Sequence, residues 1–190
     1  MALGLKCGTV ALVDHNPEWE TVATQTIERL WRVFGSVAKD IQHIGSTSIN
    51  GIKAKPSIGI VMAVDHFEFI ESLIPHMERE DFIFTYRTNE SERYIVIVIY
   101  KDKSYSVETH TILVVKFDDP KYKDSLCFRD YLNANPDSAK RYEAHKIEVA
   151  LKSNNDRSVY KENKSNFMKL ILDEALIWSS ISDTSNKHYK

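Results

Sequence analysis

Residues 41–60, IQHIGSTSINGIKAKPSIGI, constrain the fold more than any other part of the chain. An apolar, strand-like approach ends in Gly45-Ser46-Thr47-Ser48. After a lysine-bearing connection, a second apolar run begins at Ser57. Two strands that meet at such a turn leave little choice of local topology. The turn gathers backbone N–H groups and three hydroxyls in a small space, which suits a phosphate, and Lys53 and Lys55 add positive charge beside it. The same four residues also suit an ordinary turn, so the sequence by itself leaves both readings open.

The rest of the chain divides into a strand-rich half and a helical half. Residues 9–13 read as a short strand. Asp14 or Asn16 can cap the helix that follows, with Pro17 in its first turn. Trp19, Val22, Ala23, Thr26, Ile27, Leu30, Trp31 and Phe34 recur at helical spacing, and Gly35 marks the stop. Residues 37–44 and 57–64 are strand-like, the second apolar throughout, as in a strand buried on both faces. A helix is predicted over 66–79, with Pro75 placed to kink or shorten it. Residues 82–87, 93–100 and 105–116 are three further strands rich in β-branched and aromatic residues, the last two joined by a hairpin turn at 101–104. Helices are predicted near 121–134, 136–153 and 158–180. This order is α+β. The chain divides into one domain over 1–180 and a polar, disordered tail over 181–190.

Composition narrows the function classes. The 190 residues are 43% hydrophobic and 27% charged, the profile of an ordinary globular protein. A net charge of −2 makes no case for a nucleic-acid binder that relies on its overall field. No run is long enough to span a bilayer, and the N-terminus lacks a signal-peptide pattern, which points to the cytoplasm. Cys7 and Cys127 are far apart and form no metal-binding or disulfide pattern.

Four motifs, in order, resemble the GrpB family, a group with the nucleotidyltransferase fold. His43, Ile44, Gly45, Ser46, Thr47, Ser48, Gly51, Ala54, Lys55, Pro56, Ile58 and Ile60 match the family's central signature without gaps. Leu12, Val13, Asp14, Pro17, Glu18 and Trp19 resemble its opening. Phe128-Arg129-Asp130-Tyr131-Leu132, Pro136, Ala139, Tyr142 and Lys146 resemble its next block, and Asp156-Arg157, Tyr160, Lys164 and Phe167 its closing one. The resemblance implies a nucleotidyltransferase-like mixed β-sheet flanked by helices, with a helical C-terminal part closing one side. It also implies a site at the Gly-Ser turn.

The chemistry implied is transfer of a nucleoside monophosphate from a nucleoside triphosphate to an acceptor, with Mg²⁺ held by carboxylates. Here the pattern departs from the family. Gly59 stands where the family keeps an aspartate, and Val61 where the superfamily places a second carboxylate. Of the three histidines in the family's later T-H-H-L-H-V run, only the first has a counterpart, His110 in Thr109-His110-Thr111-Ile112-Leu113-Val114, and Glu108 stands before Thr109. Glu108 is the remaining candidate metal ligand, and His110, two residues on, would share its face of a strand. These two are the candidate catalytic residues. The candidate phosphate- or nucleotide-binding residues are His43, Gly45, Ser46, Thr47, Ser48, Lys55, Lys146 and Lys164. For His43, a structural role that fixes the turn by hydrogen bonding competes with a ligand role. Arg129 and Asp130 read as ion-pair or packing residues. Two functions follow: a nucleotidyltransferase, or a non-catalytic protein that binds a nucleotide or another phosphorylated ligand after losing its metal-binding aspartate.

Overall fold

The computed structural model describes residues 3–89, 91, 94–154 and 156–186; for residues 157, 158, 161, 162, 164 and 182–186 it describes the backbone alone. A sheet of six strands forms the frame: β1 (Leu5–Lys6), β2 (Ala38–Ile44), β3 (Ile58–Val64), β4 (Phe84–Asn89), β5 (Tyr94–Tyr100) and β6 (Val107–Lys116). The strand order is β2-β3-β6-β5-β4, with β1 paired to β6. β3 and β6 run parallel, and β2–β3, β5–β6, β4–β5 and β1–β6 are antiparallel.

Alternation along the strands sorts two cores. Ile58, Ile60, Met62, Val64, Ile95, Ile97, Ile112 and Val114 face helix α1 (Glu18–Phe34) and helix α2 (Phe67–Leu73) in the main core. Val61, Ala63 and Val115 face the other way, onto Tyr122 of helix α3 (Pro120–Ala134). β3 is therefore buried on both sides, as its apolar run predicts. Helix α3 joins α4 (Pro136–Lys152) and α5 (Arg157–Asn186) in a third cluster around Phe128, Tyr142 and Ile171, which also takes in Ile49 and Ile52 from beyond the turn. The second face of the sheet is thus covered at the β2–β3 end and left half-open over β5 and β6. That opening is the cleft.

Several boundaries follow from local chemistry. The Asn16 side chain accepts from the Glu18 amide at 3.0 Å and caps α1, which stops at Gly35. The helix predicted over 66–79 changes at Pro75: α2 ends at Leu73 and a 3-10 helix runs Ile74–Glu80. Two expectations are corrected. Residues 9–13 form no strand; only Val13 pairs, in an isolated bridge with Ala54, whereas the first strand is Leu5–Lys6. The polar tail placed at 181–190 begins too early, because α5 continues through Asn186; residues 187–190 lie outside the described residues.

Adjacent residues of β5 test this sorting. Ile97 is fully buried in the main core, and Val98 lies half-buried on the cleft face. Ile97→Ala is expected to cost about 2–5 kcal/mol and Val98→Ala less than about half of that, read from denaturant midpoints at constant slope.

Candidate functional site

The cleft encloses about 1270 Å³. One end is the Gly-Ser turn. Gly45 has φ +78° and ψ −172°, a conformation open to glycine, and Ser46–Ser48 form a single 3-10 turn. Gly45, Ser46 and Thr47 line the cleft together with Lys55, Gly59 and Lys146. Five of the candidate phosphate-binding residues, Gly45, Ser46, Thr47, Lys55 and Lys146, thus line one cleft.

The hydroxyls of the turn serve structure more than the sequence suggests. Thr47 is 3% exposed, and its Oγ1 lies 2.9 Å from His43 Nε2. The other ring nitrogen of His43 lies 3.0 Å from the Glu20 carboxylate. A carboxylate only accepts, so Nδ1 carries the proton and Thr47 donates to Nε2. His43 is thus a tether beneath the turn. Burial holds its pKa below the usual value against the opposing pull of Glu20. Ser48 donates to the Gly45 carbonyl at 2.7 Å and closes the turn on itself. Ser46 Oγ lies 3.2 Å from the Tyr142 hydroxyl, which locks the turn to α4.

The lysines divide as well. Lys53 is spent outside the cleft, on Asp14. Lys55 lies with its Nζ 5.6 Å from the Tyr160 ring centroid. Lys146 is 1% exposed; its ammonium donates to the Lys53 carbonyl and sits 4.6 Å from the Tyr142 ring centroid. The Lys164 side chain lies outside the described residues. Sequence reading missed Arg87 and Lys121, which line the far side of the cleft. No motif marks them; strand pairing and the start of α3 bring them there. Arg129 donates to the His43 carbonyl at 2.9 Å and pairs with Asp130, the packing role its sequence suggests.

Glu108 and His110 do not share a face. The β5–β6 register shifts between Ile99 and Tyr100: His110 pairs with Ile99, and Glu108 with Tyr100. The extra residue, Thr109, turns its hydroxyl to the Ile99 carbonyl at 3.2 Å. This bulge cancels the alternation over one step. Glu108 stays in the cleft, while His110 enters the opposite, α1-facing core at 7% exposure. There its Nε2 lies 3.1 Å from the Thr26 hydroxyl and its Nδ1 2.9 Å from Thr109 Oγ1. Thr109 has already given its hydrogen to Ile99, so Nδ1 donates and Nε2 accepts from Thr26, an arrangement of the neutral ring. Burial, then the charges of Arg29 and His43, push the His110 pKa down to about 4. The structure thus places His110 in the α1-facing core, away from the cleft that Glu108 lines.

The two positions at which the resemblance implies carboxylates, Gly59 and Val61, have no room for them in this fold. Val61 is fully buried in a hydrophobic cluster with Ala63, Val115 and Tyr122, where an unpaired carboxylate would be costly. A methyl group built at Gly59 would lie 2.7 Å from the Ile44 carbonyl oxygen, because β2 packs close against the bare backbone. Among the described residues, Glu108 and Asp156 are the carboxylates that line the cleft, and no group of three or more His, Cys, Asp or Glu could hold a metal ion. Asp156 Oδ1 also accepts from the Val159 amide at 3.2 Å, in the first turn of α5. These residues do not fit a two-metal cage.

The mixed sheet, the Gly-Ser turn and the flanking helices make this a nucleotidyltransferase-like fold. It is similar to the Cid1 poly(U) polymerase solved with Mg and 3′-dATP bound, with a TM-score of 0.53 at 11% identity over 75% of this chain and 43% of that one. The chain belongs to the GrpB family: the family described as GrpB protein matches residues 9–174. It is 33% identical to the glutamate-rich protein GrpB of Alkalihalophilus pseudofirmus over 90% of this chain and 99% of that protein. It is 29% identical to the YqkA protein of Bacillus subtilis over 93% of this chain but half of that longer protein. The crystal structure of GrpB from Enterococcus faecalis is similar at a TM-score of 0.75 and 25% identity, over 89% of this chain and 99% of that one. Among the described residues no helix is long and apolar enough to cross a membrane.

Two outcomes check the site. A His110 pKa near 4 in the fold against 6.5 unfolded means that the unfolded chain binds more protons between those values. The contribution is whole above pH 6.5 and falls by about 3 kcal/mol as the pH drops toward 4. His110→Gln should flatten this part of the stability–pH curve. Gly59→Ala should cost about 1–3 kcal/mol by overpacking against Ile44, and Gly59→Asp at least as much, with no recovery of melting temperature in Mn²⁺. A Gly59→Asp protein as stable as wild type would show that the strands part easily there.

Proposed function

We propose that this chain binds a phosphorylated small molecule, with nucleotides as the leading class, at the Gly-Ser turn, and that it does so without metal-dependent turnover. The observation that carries this reading is that Lys55 and Lys146 line one cleft with Gly45, Ser46 and Thr47, and that Gly59 brings no carboxylate to it. Among the described residues, the cleft carries four cationic side chains, Lys55, Arg87, Lys121 and Lys146, against the carboxylates of Glu108 and Asp156. A phosphate set on the turn would gain charge-assisted bonds from the lysines. The buried Lys146 is already held in place, so little side-chain freedom is lost on binding.

Nucleotidyl transfer is the second reading, favoured by the fold likeness to a polymerase. It requires an acceptor oxygen to attack the α-phosphate, with pyrophosphate leaving. Glu108 and Asp156 would then have to hold Mg²⁺ with the triphosphate, and fold alone does not establish such an activity.

Calorimetry with ATP in the presence of EDTA tests the first reading. Lys55→Ala combined with Ser46→Ala is expected to weaken binding roughly tenfold or more, the loss of one charge-assisted bond. Equal affinity in both proteins would remove the proposal. Pyrophosphate release in Mg²⁺ or Mn²⁺ is expected to stay at background; release that disappears in Glu108→Gln would establish the second reading instead.

A further inference from the structure

The sheet that floors the cleft is unlike a site built around ions. Strand pairing aligns Gly59, Thr111, Val98 and Thr85 in one row across β3, β6, β5 and β4. Leu113, Val96 and Arg87 form the next row over three of these strands. All seven residues line the cleft. Val96 and Val98 are half-buried in a strand whose alternate residues, Ile95 and Ile97, are fully buried. β5 therefore offers apolar groups on both faces, one of them to an open cavity. A strand read from composition alone would carry polar residues on its open face.

From these rows we infer that the cleft takes a phosphate monoester with a flat aromatic or apolar body, bound without metal. This inference rests on the proposed phosphate site and names the class of molecule that fits it. The phosphate lies at the Gly-Ser turn near Gly59. The body lies over Leu113, Val96 and Val98. Strands stand about 4.8 Å apart, so the row from Gly59 to Thr85 spans roughly 14 Å. That length holds a phosphate at one end and a ring system beyond it. Tyr94 and Tyr100 bound the valines along β5, two residues away on either side, and offer ring faces or edges to the body. Gly59 contributes by what it lacks. With no side chain there, the floor between the turn and Thr111 is open, and a ligand can lie down across β3 onto β6.

The chemistry also sets what the cleft should reject. Inorganic phosphate would use the lysines but leave the floor wet. Magnesium–triphosphate would bring a cation toward Leu113 and Val96, which offer it no oxygen. An aromatic phosphate satisfies both ends.

The probe is 1-naphthyl phosphate, compared with inorganic phosphate by calorimetry in EDTA on the full chain. The naphthyl ester is expected to bind roughly tenfold or more tightly, with a negative heat-capacity change from apolar burial. A Val96→Thr, Val98→Thr variant keeps side-chain shape and β-propensity while adding hydroxyls to the floor. It should lose most of this preference and bind inorganic phosphate as wild type does, and circular dichroism and the melting temperature verify that it is folded. Equal affinity for both probes in wild type would overturn the inference and leave the phosphate site standing. Binding of neither probe would remove both. A preference unchanged in the double variant would put the aromatic body elsewhere and likewise overturn the inference.

Discussion

The parallel pairing of β3 with β6 is the constraint on which the rest of the structure depends. Its register sets Gly59 beside Thr111 and Val61 beside Leu113, residues about a quarter of the chain apart in sequence. Parallel strands cannot be joined by a tight turn, so the intervening residues must leave the sheet and return. They do so through α2, the 3-10 helix and the β4–β5 hairpin, which extends the sheet on the far side of β6. The hairpin supplies the open floor, and the helices after β6 cover what remains. The cleft exists because α3 covers Val61, Ala63 and Val115 and leaves Val96 and Val98 of β5 facing the cavity.

Beneath the turn, a set of polar contacts centred on the buried His43 and Thr47 replaces what packing alone would leave loose. Glu20, His43 and Thr47 tie α1, β2 and the turn together. Tyr142 brings α4 to Ser46 from the other side, and Lys146 ties the same helix to the Lys53 carbonyl in the connection beyond the turn. Leaving one of these buried groups without its partner costs more than the bond itself is worth. The turn is therefore held rigid from two directions, a condition for recognising a small anion by backbone geometry.

Most of the fold was legible because its signals are local and periodic. The apolar run of β3, the α1 stripe closed by Gly35 and the Pro75 break each state their own geometry. The Gly-Ser turn, with Lys55 and Lys146, was legible through motif resemblance. What escaped was non-local. Glu108 and His110 differ in face because of one extra residue opposite Ile99, and no rule of alternation shows a bulge before its partner strand is known. Arg87 and Lys121 reach the cleft only by pairing and helix placement. Residues 9–13 carry strand-like residues but make no strand, their β-pairing being the single bridge of Val13 with Ala54. Helix α5 outran its predicted end because polar residues 182–186 continue a helix already formed.

The close approach of Ile44 to Gly59 also has a bearing on how such a site changes over generations. A glycine and an aspartate codon can differ by a single base, so the exchange looks reversible on paper. In the folded chain it behaves as a ratchet. With 2.7 Å between a Cβ built at residue 59 and the neighbouring carbonyl oxygen, a step from glycine to aspartate meets a strained strand pair first. A return path has to begin elsewhere, with a substitution that moves β2 outward. The same distance that shapes the cleft thus sets the order in which its residues can be exchanged.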